Sequence, residues 1–223
     1  MQPWNPDLPY PPDIDIGYPW GVIQCERAAT NIGAYAQVSP TTVHVDDRGD
    51  GIEEYWVSVV AVNDDAEYYA EVAVDVGYDK STNQWMTVVA SAYSDPSQWP
   101  NGTIHNTYSL GNSSSAPATP AVATYRTSGN TWAFVVNGYQ FDTYTYSSSW
   151  TPTKISTAME SYNQPAGWTN GQTIVANSDI HYKGTDGVWY FASPSSTWKD
   201  PSSFLVTQTT STTTQTVTST RYW

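Results

Sequence analysis

From about residue 31 onward the chain is a succession of short apolar/polar alternations broken by turn signals, and no segment sustains a helical period. Readable strands are GAYAQV, TTVHV, EEYWVSVVAV, YYAEVAVDVGY, QWMTVVASAY, TIHNTYSL, AVATYR, TWAFVV, FDTYTY, ISTAMESY, TIVA, DIHYK, GVWYFA and SFLVTQT. Turn punctuation such as WPNG, TSGN, VNGY and GTDG separates them. A period of two puts alternate side chains on opposite faces, so each segment needs a sheet with one face against a core. So many short strands in one chain predict an all-β fold, an antiparallel β-sandwich of two large sheets of the jelly-roll kind.

One strand frames the functional question. In YYAEVAVDVGYDK, residues 68–80, Ala70, Val72, Val74 and Val76 share a small apolar face, while Tyr69, Glu71, Ala73 and Asp75 share the other. Two carboxylates on one face read either as a solvated surface or as the floor of a cleft. Trp132 alternates with Phe134 and Val136 and reads as inter-sheet core.

Composition excludes several classes. Aromatics make up 14% of the 223 residues, with 11 Trp and 17 Tyr but only 4 Phe, a mix suited to half-exposed surfaces. Against 21 acidic residues stand 8 basic ones, for a net charge of −13 without any Lys/Arg cluster, so no nucleic-acid partner is expected. Cys25 is the single cysteine, which rules out an intrachain disulfide. The three histidines, His44, His105 and His181, show no metal-ligand spacing, so no metal or cofactor is expected, although Asp46-Asp47-Arg48-Gly49-Asp50 is like a fragment of a calcium loop. No apolar run is long enough to span a membrane, so no membrane partner is expected. The opening MQPWNPDLPYPPD reads as a mature N-terminus, and Asn101-Gly102-Thr103 and Asn112-Ser113-Ser114 match the glycosylation pattern.

Three regions are expected. Residues 1–30 read as a Pro-rich extended arm, with six prolines in the first 20 and Trp4, Tyr10, Tyr18 and Trp20 to lay it on the body. Residues 31–207 read as the sandwich, and the Thr-rich 208–223 as a final strand or a tail.

Glu160, in KISTAMESYNQPAGWTNG, is a carboxylate between Met159 and Tyr162 and shortly before Gln164 and Trp168. A partly desolvated cleft would raise its pKa, and so would a second carboxylate close by; two carboxyls sharing a proton can do acid/base work. The order of IGAYAQVSPTTVHV, EEYWVSVV, VAVDVGY, TWAFVVNG and STAMESYN, over roughly residues 31 to 192, resembles the glutamic peptidase (eqolisin) family and its relatives. That resemblance implies a concanavalin-like sandwich with a concave substrate groove. It implies that Glu160 is the catalytic glutamate, acting as base and acid on a water. The family glutamine falls on Asp75, a departure, since a carboxylate donates a hydrogen bond only when protonated. The inherited mechanism then needs Asp75 and Glu160 to share a proton. A register shift of two residues would put Glu71 in place of Asp75 as the partner of Glu160. The groove by resemblance is lined by Glu71, Tyr69, Trp85, Tyr93, Tyr162, Gln164 and Trp168, suited to an extended polymer, peptide or polysaccharide.

Three functions fit these residues. The first is a secreted, acid-active peptidase using Glu160 with Asp75. The second is a lectin-like module binding carbohydrate or peptide through aromatics. The third is a surface or filament subunit that self-associates by strand addition through its termini. All three place the protein outside the cell.

Overall fold

The computed structural model describes residues 21–39, 53–63, 68–79, 81–95, 103–161, 173–193, 196–199, 205–211 and 214–219. TTVHV, the 46–50 run, Asn101, the arm up to residue 20 and the last four residues lie outside them.

Every regular element among the described residues is a strand: β1 (Gly21–Ala28), β2 (Gly33–Val38), β3 (Glu53–Val62), β4 (Tyr69–Asp79), β5 (Gln84–Ser94), β6 (Thr103–Ser113), β7 (Ala121–Ser128), β8 (Thr131–Val136), β9 (Tyr139–Thr145), β10 (Lys154–Ser161), β11 (Thr173–Lys183), β12 (Trp189–Phe191), β13 (Ser196–Lys199), β14 (Leu205–Ser211) and β15 (Thr214–Ser219). They form two antiparallel sheets. The first runs β13-β1-β10-β3-β4-β5-β6, and the second runs β14-β15-β11-β2-β7-β8-β9 with the short β12 beside β11. No helix in the described residues is long and apolar enough to cross a membrane.

Alternation built the core as expected. Val57, Val59 and Ala61 of β3, Val72, Val74 and Val76 of β4, and Trp132, Phe134 and Val136 of β8 fill the space between the sheets. Trp132 stacks on Trp150 with ring centres 4.9 Å apart. VNGY makes the turn it signals: Asn137 and Gly138 both have positive φ, the pairing of a tight hairpin.

The termini differ from expectation. Residues 21–28, counted with the arm, form β1, paired along its length with β10 and over Ile23–Glu26 with β13. The Thr-rich end is a hairpin rather than one strand, with β15 paired to β14 and to β11. Asn177 Nδ2 of β11 donates to Gln215 Oε1 of β15 at 2.9 Å, both fully buried, and this amide pair fixes the register of the hairpin. TIVA and DIHYK join into the single strand β11, which slips register between Ser178 and His181, where Asp179 has positive φ.

The edge strands β6 and β9 of opposite sheets are tied by a polar clasp. Asp142 of β9 lies across from the core residue Phe134 and so points inward. Its Oδ2 accepts from Ser91 Oγ at 2.5 Å and contacts His105 Nδ1 at 2.7 Å. His105 sits where β6 slips register against Ser91 and Ala92 of β5, and the bulge re-aims it toward the other sheet.

Candidate functional site

Because the even-numbered residues of β4 enter the inter-sheet core, Tyr69, Glu71, Ala73 and Asp75 occupy the outer face of the first sheet. This face is not solvated. Glu71 is 3% exposed, and the surrounding floor of Ser58, Ala73, Ala90, Ala92 and Ser156 is buried as well. These side chains are small and buried, so the Glu71 carboxyl sits in a low-dielectric layer. Burial pushes it up to about 7, against a smaller lowering effect of the Ser58 hydroxyl that hydrogen-bonds it. Its Oε2 has no hydrogen-bond partner among the described residues.

Register places Asp75, and not Glu71, in the row of Glu160. Glu160 of β10 pairs with Trp56 of β3, and Trp56 pairs with Asp75 of β4. Glu160 and Asp75 therefore occupy one row across three strands, two inter-strand spacings or roughly 10 Å apart at Cα. Glu71 lies in a different row, with Val60, Ser156 and Ala92. Asp75 is partly buried. The side chain of Glu160, and Tyr162, Gln164 and Trp168 altogether, lie outside the described residues.

Two of the aromatics expected in the groove are on the opposite face. Trp85 pairs with Tyr78, and both rings pack into the inter-sheet core, 4.9 Å apart. Tyr93 belongs to the same face; it stacks on Tyr144 at 3.5 Å between the sheets. The cause is the β4–β5 turn. The Asp79 carboxylate accepts from the Ser81 amide and hydroxyl and the Thr82 hydroxyl, and Asn83 takes positive φ. That turn sets odd residues of β5 against even residues of β4. Tyr69 is buried at the end of the Glu71 face, and its carbonyl accepts a short hydrogen bond from the Tyr146 hydroxyl.

Sequence reasoning did not find the Ser91–Asp142–His105 clasp or the contact of the Tyr144 hydroxyl with buried Asp95 at 3.4 Å. No local motif marks either, since the partners come from distant strands. Among the described residues no three His, Cys, Asp or Glu side chains converge as a metal site.

No family model matches the chain, and no curated protein does. Solved structures do show a distant likeness. SCP-B, an eqolisin peptidase in complex with the tripeptide Ala-Ile-His, is similar over 91% of this chain and 98% of its own, at 10% identity and a TM-score of 0.49. Scytalido-glutamic peptidase with a transition-state analog inhibitor is similar over 91% and 98%, at 9% identity and a TM-score of 0.47. A native glycosidic hydrolase is similar over 64% of this chain and 65% of its own, at 13% identity and a TM-score of 0.38. The chain thus bears a weak structural likeness both to glutamic peptidases and to β-sandwich glycosidases.

Proposed function

We propose that the protein is a secreted, acid-active hydrolase of extended polymers, an endopeptidase in the first instance, working on the outer face of the first sheet. The observation that carries this reading is the shared row of Glu160 and Asp75 beside a buried, proton-holding Glu71. In this mechanism one carboxylate of the pair takes a proton from a water as its oxygen bonds to the carbonyl carbon of the scissile bond. The other, protonated, donates a hydrogen bond to the carbonyl oxygen as it gains charge. The first acid then returns its proton to the leaving nitrogen as the carbon–nitrogen bond breaks. Asp75 can donate only while protonated, so the pair is active in acid and fails as the shared proton is lost. Glu71 needs no partner charge to stay neutral, and it keeps a second proton at the edge of the site.

Two features support the reading: the motif order and the register row. Of the aromatics that the lectin-like reading would use, Trp85 and Tyr93 lie in the core.

The test is cleavage of an unfolded protein substrate between about pH 2 and pH 7, the range over which paired carboxyls exchange protons. Wild type, Glu160→Gln and Asp75→Asn are compared, each checked for folding by circular dichroism. Acid-optimal cleavage is expected, falling about a hundredfold or more in Glu160→Gln. Asp75→Asn would retain activity only if a donor, rather than a titrating carboxyl, is needed there. Folded wild-type protein that cleaves nothing at any pH overturns the proposal.

A further inference from the structure

The outer face of the second sheet carries a different chemistry. Since Ala34 and Ala36 of β2 enter the core, Tyr35 points outward, and His181 of β11 and Phe191 of β12 stand in its register row. Phe191 packs on His181 at 4.4 Å, His181 on Tyr35 at 5.6 Å, Tyr35 on Trp189 at 6.2 Å, and Trp189 on Tyr125 at 6.2 Å. This contiguous aromatic strip crosses β12, β11, β2 and β7. It is open to solvent: Phe191 is 67% exposed and Trp189 37%.

Among the described residues one lysine lies within the strip. Lys183 Nζ sits 4.5 Å from the Tyr125 ring centre and 5.7 Å from that of Trp189. Gly33 makes room for this approach. A Cβ there would come within 2.5 Å of Tyr125 Cβ, so only glycine lets the Tyr125 side chain lie across β2 toward Lys183. Neither nearby carboxylate is ion-paired with Lys183. Asp179 Oδ1 lies 3.7 Å from His181 Nδ1, and Asp186 accepts from the Tyr190 hydroxyl at 2.5 Å and the Val188 amide at 3.0 Å. Lys183 has no carboxylate partner among the described residues. Lys183 Nζ is thus held among exposed rings without an ion-pair partner among the described residues, placed to meet an anionic group of a ligand.

We propose that this face is a carbohydrate-binding site for an acidic polysaccharide, a polyuronate chain. Pyranose rings lie against Trp189 and Phe191, and a uronate carboxylate pairs with Lys183 Nζ. Rings supply broad contact at little cost in conformational freedom, and the one cation selects a charged chain over a neutral one of the same shape. The site is on the opposite sheet from Glu71 and Asp75, so it stands or falls independently of the peptidase reading.

The test is calorimetric titration of the full chain with an oligogalacturonide and with a cello-oligosaccharide of equal length. The proteins are wild type, Lys183→Gln, Trp189→Ala, and Tyr139→Ser as an exposed-aromatic variant outside the strip. Expected is saturable binding of the oligogalacturonide, about tenfold or more weaker in Lys183→Gln, the scale of one hydrogen bond to a charged group. Trp189→Ala abolishes it, and Tyr139→Ser leaves it unchanged. Binding of neither sugar, equal binding of both sugars by wild type and Lys183→Gln, or a homodimer in sedimentation that Phe191→Ser dissolves, each overturns the proposal.

Discussion

The two outer faces of the sandwich are built from the same alternation and have become opposites. On the first sheet the outward residues around Glu71 are mostly small and are buried; on the second, the outward side carries a strip of rings that is partly exposed at Tyr35 and His181 and exposed at Trp189 and Phe191. Burial turns a carboxyl into a group that holds its proton near neutral pH, as Glu71 does. Exposure turns rings into a contact surface. A period-two pattern specifies which residues share a face, and it leaves open whether that face is covered.

The largest effect expected is common to both faces. Trp132 is fully buried between the sheets, so Trp132→Ala should cost about 3–5 kcal/mol in urea unfolding, whichever face is being compared. The next effect separates the faces by pH. Burial raises the Glu71 pKa from 4.5 to about 7, so the fold favours the protonated acid. Its contribution is complete below pH 4.5 and is lost as pH rises through 7. About 3 kcal/mol of stability should disappear between these limits. Urea midpoints at acid and mildly alkaline pH measure it, and Glu71→Gln should flatten that part of the profile. A wild-type profile without the decline would show that Glu71 is hydrated and the two faces are alike.

A smaller effect is expected at the clasp, where Asp142→Ala leaves the buried Ser91 hydroxyl without its carboxylate partner. A loss of about 1–3 kcal/mol should follow, measurable as a lowered Tm. The smallest effect is on the second outer face. Phe191→Ser should change stability by about 0.5 kcal/mol or less, because the side chain is mostly in water already. A large loss there would mean that the aromatic strip is structural rather than a binding surface.

Much of this architecture is readable from residues alone. GAYAQV, EEYWVSVVAV and TWAFVV are β2, β3 and β8 to the residue. Trp132 declares itself core through its alternation with Phe134 and Val136. Trp85 and Tyr93 mislead because parity within β5 says nothing about which residue of β4 each will face; the Asp79–Asn83 turn decides that. GVIQCERA follows a proline-rich stretch and has no clean alternation, so β1 stays hidden until β10 supplies its pairing. The choice between Asp75 and Glu71 is a matter of long-range register, to which no local pattern is sensitive. Exposure of WYF in β12 is equally illegible, since an apolar run reads as something to be buried.

The interleaving of strands between sheets also dictates how the molecule must be made. Among the described residues, β1 joins the first sheet through β10 and β13, and β2 reaches the second through β7 and β11. A nascent chain that stops before Lys154 holds its first strand with neither neighbour yet synthesised. Outside the β3–β6 and β7–β9 meanders and the local β11–β12 and β14–β15 pairs, the ladders among the described residues close long loops, which slows folding to a timescale on the order of milliseconds to seconds rather than microseconds. Those two meanders can form as they emerge, while β1 waits on the ribosome's later output as an unpaired edge that other chains can reach.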